Sequence, residues 1–201
     1  MQQLIVEFLA MNFLELTAVV LAIAYLLLAV RESLWCWGAA FVSTAIYLYL
    51  FFAASLYMES VLQVFYLFMA VYGWQQWRRG ESDERKLDVS TWPLSVHVRA
   101  VACILALSVA SGWILASYTQ AAFPYLDSFT SWGAVWTTYL VTRKKLENWL
   151  YWIVIDSVGI YLYELRGLQL TAALFALYVV ISIFGYVSWL RVSRQNLDSP
   201  A

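Results

Sequence analysis

Two tryptophans and one aspartate form the pattern in this sequence that most clearly points to chemistry. Trp149, Trp152 and Asp156 lie in the run ENWLYWIVIDSV, separated by three and four residues, which places them on one face of a helix. Indole rings attract cations, and a carboxylate attracts them more strongly. The pattern therefore predicts a binding site for a flat, positively charged ring.

The position of Asp156 within an apolar helix limits what this carboxylate can do. At about 1.5 Å per residue, Asp156 lies roughly 10 Å below Trp149 along the helix, inside the hydrocarbon zone. A carboxylate facing lipid there is costly, so we expect it to face the protein interior and to meet a partner. One alternative stays open, in which the aspartate hydrogen-bonds a Ser, Thr or Tyr of the next helix and the tryptophans are interfacial residues. Trp152 and Asp156 lie too deep in the membrane for interfacial residues, which favours the interpretation as a binding site.

Five further residues are weaker candidates for substrate contact. Gln63 and Tyr66 lie one turn apart and could hydrogen-bond a substrate, although Gln63 is equally well explained as a tie between two helices. Trp35 and Tyr47 could complete the aromatic walls or could only pack. Glu15 is a second acidic candidate, but stabilisation of the positive N-terminal end of the first helix explains it slightly better.

The composition identifies the solvent that these residues meet. Hydrophobic residues make up 63% of 201 positions and charged residues 12%, which predicts an all-α, polytopic membrane protein. Seven segments are long enough to span a bilayer or nearly so, at approximately 9–30, 34–53, 59–77, 96–117, 127–142, 147–164 and 168–190.

The basic residues predict how the seven spans are oriented. With this topology, 11 of the 12 lysines and arginines fall on one side of the membrane, and Arg166 alone falls on the other. Because lysine and arginine resist translocation, we expect the N-terminus outside and the C-terminus in the cytoplasm.

An internal repeat accounts for the odd number of spans. At one constant offset along the chain, Trp35, Ser43, Tyr47 and Tyr49 match Trp149, Ser157, Tyr161 and Tyr163, and after a deletion of two residues Gly73 and Trp77 match Gly185 and Trp189. Since each repeat has three helices, a linker helix must intervene for both repeats to run parallel. We expect a 3+1+3 arrangement with a three-helix bundle and cytoplasmic loop at 1–95, the linker at 96–120 and a second bundle at 121–201.

Four stretches resemble the Pnu family of vitamin transporters: TRKKLENWLYWIVIDSVGIYLY, VLQVFYLFMAVYGWQQW, AFPYLDS and GLQLTAALFALY. The resemblance implies two three-helix bundles of the SWEET type and facilitated diffusion of a vitamin that is later phosphorylated in the cell. It also implies that Trp149, Trp152 and Asp156 match the binding motif of the sixth helix, and that Gln63 matches the polar position of the third. The nicotinamide riboside members carry asparagine where this chain has Asp156.

The charge of Asp156 ranks the vitamins. Thiamine and nicotinamide riboside are both aromatic cations, to which an aspartate adds Coulomb attraction. An asparagine can instead hydrogen-bond the ribose or the carboxamide of nicotinamide riboside. The resemblance implies that a sister group with the acidic motif handles thiamine, so thiamine is slightly favoured. Riboflavin is neutral and ranks last. A nicotinamide riboside uniporter and a proton-coupled vitamin transporter that uses Asp156 are the alternatives.

Enzyme classes find little support in this sequence. It contains no H-E-x-x-H, G-x-S-x-G or Walker motif, and the two cysteines have no metal-ligand spacing around them, so we expect neither a cofactor nor a metal. The expected partners are a small vitamin and the lipid of a bacterial cytoplasmic membrane, with homo-oligomer formation left open.

Overall fold

The computed structural model describes residues 13–53, 57–82, 87–119 and 121–198. These residues form seven helices: α1 (Phe13–Val30), α2 (Trp35–Ala53), α3 (Tyr57–Ser82), α4 (Leu94–Tyr118), α5 (Pro124–Thr142), α6 (Asn148–Leu165) and α7 (Gln169–Asp198). The predicted all-α class and the seven predicted segments are confirmed, apart from residues 9–12 of the first segment, which lie outside the described residues. α3 and α7 run on past the predicted ends at 77 and 190, because a helix can continue through polar residues after it has left the bilayer.

Four of the described helices are long and apolar enough to cross a membrane by themselves: α1, α2, α4 and the Gln169–Gln195 part of α7. The sequences of α3, α5 and α6 are more polar, and α6 carries Asn148, Asp156 and Glu164. A span with charged groups needs protein rather than lipid around them. Membrane crossing by these three helices therefore stays a prediction.

The chain divides into two compact units, one of Met1–Asp88 with Val187–Ala201 and one of Val89–Tyr186. In the first unit α2 packs against both α1 and α3, and in the second α5 packs against both α4 and α6. The finer division predicted at residues 95 and 120 stays a prediction.

The two halves of the chain repeat their helices at one constant offset, the offset that relates Gly73 to Gly185. The last residues of α1 and α5 are related by this offset, and so are the last residues of α2 and α6. The first residues of α3 and α7 are related by it as well. The turns after α1 and α5 match as well, since each contains a residue with positive φ, Glu32 at 53° and Lys144 at 48°. In the first turn the N–H of Ser33 donates to the carbonyl of Leu28, and in the second the N–H of Lys145 donates to the carbonyl of Leu140. This is the hydrogen-bond pattern of a Schellman motif.

This register corrects the four predicted pairs that join α2 to α6: Trp35 with Trp149, Ser43 with Ser157, Tyr47 with Tyr161 and Tyr49 with Tyr163. Trp149 is 1% exposed, and a Cβ added to Gly185 would lie 2.7 Å from its ring. The same contact occurs at the equivalent position of the first half, where the 2% exposed Trp37 covers Gly73. Trp35 is 70% exposed. The predicted pairing of Trp35 with Trp149 is therefore wrong, because Trp37 occupies the equivalent buried position.

Candidate binding site

Asp156 lies in the middle of α6 and is 5% exposed. Within the described ranges, no group forms a hydrogen bond or an ion pair with its carboxylate. One predicted alternative is that a Ser, Thr or Tyr of the next helix hydrogen-bonds this carboxylate. The described residues contain no such partner. A buried ionised carboxylate without a partner is unfavourable, so Asp156 needs either a proton or a cation that the described residues do not supply.

The two tryptophans above Asp156 differ in their surroundings. The ring of Trp149 is enclosed and lies against Gly185, where no larger side chain fits without a shift. Trp152 is half-buried and lies one turn closer to Asp156. These surroundings make Trp152 a better candidate than Trp149 for stacking on a substrate ring, and substrate contact by either ring stays a prediction.

Aromatic rings also line the other end of the Asp156 stripe. Gly159, one turn beyond Asp156, lies against the ring of Phe175 on α7. Phe175 is 4.9 Å from the ring of Tyr163 and 5.6 Å from the ring of Tyr178, centroid to centroid. Along the stripe, Asp156 therefore lies between Trp152 and the contact of Gly159 with Phe175.

The candidates on α2 and α3 belong to the other compact unit. The contact between Gly73 and Trp37 fixes how these antiparallel helices align, and it places Gln63 level with Tyr47. Gln63, Tyr66 and Tyr47 are all half-buried. Their predicted contact with substrate stays a prediction.

Trp35 and Glu15 lie in exposed positions. Trp35 meets Trp74 edge to face, with 5.6 Å between the ring centroids. Glu15 lies in the first turn of α1 and is exposed, as expected of a residue that stabilises the positive end of a helix. Tyr47 stacks on Phe51 at 5.6 Å.

A polar cluster that the sequence analysis missed fixes the beginning of α6. Glu147 Oε1 accepts a hydrogen bond from the backbone N–H of Trp92 at 2.8 Å and lies 3.3 Å from His97 Nε2. His97 Nδ1 lies 3.1 Å from the hydroxyl of Tyr151. No short motif predicts these contacts, because Glu147 and Trp92 are 55 residues apart in the chain.

Lys145 reinforces the same junction. Its Nζ donates to Ser90 Oγ at 2.7 Å and lies 5.2 Å from the centre of the Trp92 ring. The backbone of Ser90 also accepts from Leu146 and donates to Lys144. Burial lowers the pKa of the Lys145 ammonium, and nearby Glu147 opposes that change. The segment before α4 is thus anchored to the turn that leads into α6.

The opposite ends of α5 and α6 are joined by one ion pair. Arg166 Nη2 donates to Asp127 Oδ2 at 2.6 Å, and the Arg166 guanidinium lies 5.8 Å from the centre of the Phe123 ring. Both charged side chains are about one-third exposed, so the pair adds little stability. It does fix α5 relative to α6 at this end.

Comparison with known proteins identifies a family model and several transporters that this chain resembles. The sequence model of the family described as "Nicotinamide mononucleotide transporter" matches residues 12–191. The riboflavin/roseoflavin transporter RibM of Streptomyces davaonensis is 27% identical over 182 residues, which cover 88% of this chain and 84% of RibM. The nicotinamide riboside transporter PnuC of Escherichia coli K12 is 26% identical over 172 residues, covering 73% and 72%.

A solved structure shares the fold. The crystal structure of the vitamin B3 transporter PnuC superposes with a TM-score of 0.74 at 19% identity, covering 96% of this chain and 87% of that one. The matching family model describes a transporter, and RibM and the PnuC of Escherichia coli are transporters by name, which confirms the expectation of a transporter rather than an enzyme.

Proposed function

Because the chain belongs to the nicotinamide mononucleotide transporter family, a family of multi-pass membrane transporters, we propose that it carries a flat, positively charged vitamin across the membrane by facilitated diffusion. The proposed site is the Asp156 stripe of α6, with Trp152 as the stacking ring. The distribution of basic residues supports an N-terminus outside and a C-terminus in the cytoplasm, in a bacterial cytoplasmic membrane.

The buried carboxylate of Asp156 is the observation that carries this proposal. It is 5% exposed and lacks a partner among the described residues. A fixed aromatic cation would supply the missing charge and would fit beside an indole ring. A neutral substrate would leave the carboxylate buried and uncompensated unless it took up a proton.

Nicotinamide riboside is the first candidate, because the relatives named PnuC are nicotinamide riboside transporters. Thiamine is the second, since its thiazolium ring carries the same fixed charge and a carboxylate attracts it equally. The preference for thiamine that the sequence analysis stated has no support in the comparisons. Riboflavin is a third candidate on one observation, the similarity to RibM over 88% of the chain.

Transport by purified protein in liposomes tests this proposal. Liposomes loaded with one unlabelled vitamin receive the same vitamin in labelled form outside, with the membrane potential held constant by potassium and valinomycin. We expect counterflow of nicotinamide riboside or thiamine at a rate that an imposed pH gradient does not change. Liposomes with Asp156→Ala should show no counterflow, and those with Ser157→Ala should match the wild type, because Ser157 is exposed and its hydroxyl already binds the carbonyl of Ile153.

Each other result contradicts a different part of the proposal. Transport of riboflavin without either cation would refute the cationic substrate. Accumulation driven by the pH gradient at constant potential would replace facilitated diffusion by proton coupling through Asp156. Binding of a vitamin without counterflow would indicate a receptor.

A further inference from the structure

The contacts between α6 and α7 define how these two antiparallel helices align. Trp149 lies against Gly185 at one end, and Gly159 lies against Phe175 at the other. Both contacts correspond to the same alignment, in which each step forward on α6 is matched by one step back on α7. Because the rise per residue is about 1.5 Å, this alignment gives the level of every residue between the two contacts.

Between these contacts, the alignment pairs two more positions. Asp156 is level with Tyr178, and Trp152 is level with Ser182. The residues 175, 178, 182 and 185 are spaced by three and four, so they form one face of α7. Since Phe175 and Gly185 of this face contact α6, Tyr178 belongs to the same face.

The environment of Tyr178 suits a cation. Its ring is half-buried and packs against Phe175 with 5.6 Å between centroids. The backbone of Tyr178 therefore lies at the level of Asp156, on the helix next to it. A cation held between a carboxylate and the face of a tyrosine gains from both.

The repeat points independently to this residue. The offset that relates Gly73 to Gly185 also relates Tyr66 to Tyr178. Tyr66 is itself a predicted candidate, because it lies one turn from Gln63. The partner of Tyr66 across α2 and α3 is Thr44, at the position equivalent to Asp156. The tyrosine is thus present in both halves, but only the second half sets an acidic residue opposite it.

We propose that Tyr178 is a specificity-determining residue that forms the aromatic wall opposite Asp156 and selects for a positively charged substrate ring. This inference rests on the proposed function, because it assigns a second wall to the same site. It requires the ring of Tyr178 and does not require the hydroxyl.

Binding of two nearly identical probes to purified protein tests the inference. Nicotinamide riboside carries a pyridinium charge, and its dihydro form, which has gained a hydride on the ring, is neutral. Calorimetry on Tyr178→Leu should show an affinity about tenfold lower for the cation and within about twofold of wild type for the neutral probe. Tyr178→Phe should keep both affinities within about threefold, since the ring remains.

Tyr161→Leu is the matched control, because Tyr161 is 59% exposed on α6 and should not affect either probe. If Tyr178→Leu does not give a folded, monodisperse protein, Tyr178→Phe is compared with trifluorophenylalanine at the same position. Fluorine withdraws charge from the π face and keeps the shape, so the fluorinated ring should lose affinity for the cation alone.

The possible failures are distinct. A wild-type protein that binds neither nicotinamide riboside nor thiamine overturns both the proposed function and this inference. A wild-type protein that binds the cation, with unchanged affinity in Tyr178→Leu, overturns only the role of Tyr178. Equal losses for the charged and the neutral probe also overturn it, because they indicate packing rather than recognition of charge.

Discussion

Replacing Asp156 by asparagine isolates the charge of the proposed site. The amide has nearly the same volume as the carboxylate and still offers an oxygen as hydrogen-bond acceptor. The substitution therefore removes the negative charge while it keeps the packing of the middle of α6. We expect Asp156→Asn to fold normally and to bind a cationic vitamin more weakly.

The magnitude follows from Coulomb's law. Two unit charges about 4 Å apart attract by about 4 kcal/mol at an effective dielectric constant near 20. Part of this energy offsets the loss of water around the two ions, and the 5% exposure of Asp156 makes that loss large. We expect a net loss of about 1.4 to 2.8 kcal/mol, which lowers the affinity about ten- to hundredfold.

Calorimetry with paired probes measures this effect directly. Nicotinamide riboside and its neutral dihydro form are titrated into wild-type protein, Asp156→Asn and the neighbouring control Ser157→Ala. The cation should lose affinity only in Asp156→Asn, and the neutral probe should change little in any of the three. An affinity for the cation within about threefold of wild type would refute the electrostatic reasoning. The carboxylate would then act only as a hydrogen-bond acceptor, as asparagine would in the same place.

Substitutions at three further positions test the packing and the turns. Gly185→Ala places a Cβ 2.7 Å from the enclosed ring of Trp149, so the free energy of unfolding should fall by about 1 to 3 kcal/mol. Thermal unfolding measures this loss, and an unchanged melting temperature would contradict the close contact. Lys144→Gly removes the strain of a side chain at a φ of 48° and should stabilise the protein by about 1 kcal/mol. Lys144→Ala keeps a Cβ and should give no such gain, and thermal unfolding distinguishes the two variants. Glu147→Ala removes the acceptor of the Trp92 N–H and should cost about 1 to 3 kcal/mol of unfolding free energy, while Glu147→Gln keeps an acceptor and should cost less.

The sequence predicted the helices well, because hydropathy directly reports which segments avoid water. The predicted limits of the second, fourth, fifth and sixth segments agree with the structure to within a few residues. The same signal failed at the ends of α3 and α7, where the helix continues into polar residues. Hydropathy measures contact with the bilayer, and a backbone hydrogen-bond pattern does not stop at the membrane surface.

The repeat register shows a second limit of sequence comparison. Trp35 and Trp37 are near neighbours in the chain, and both can be matched to Trp149 by letter alone. The match to Trp35 required a deletion later in the repeat, which the structure does not contain. Burial separates them, since only Trp37 covers a glycine as Trp149 does. A single constant offset between the halves would have led directly from Tyr66 to Tyr178.

Only half of the proposed site was accessible from the sequence. The spacing of Trp152 and Asp156 on one helix is a local pattern, and it was predicted. The level of Tyr178 relative to Asp156 depends on how two helices align, which needs the glycine contacts at Gly159 and Gly185. For the same reason the docking of Trp92 onto Glu147 left no local signal.

The repeat also separates residues that pack from residues that recognise. Trp149 and the glycine that it covers have an equivalent pair in the first half, so this contact serves helix packing in both halves. Trp152 and Asp156 correspond to Ala40 and Thr44, so their chemistry is present once. Packing requirements are the same in both copies of a repeat, whereas one substrate needs only one carboxylate. The residues that differ between the copies are therefore the better guide to the substrate, and they converge on the middle of α6.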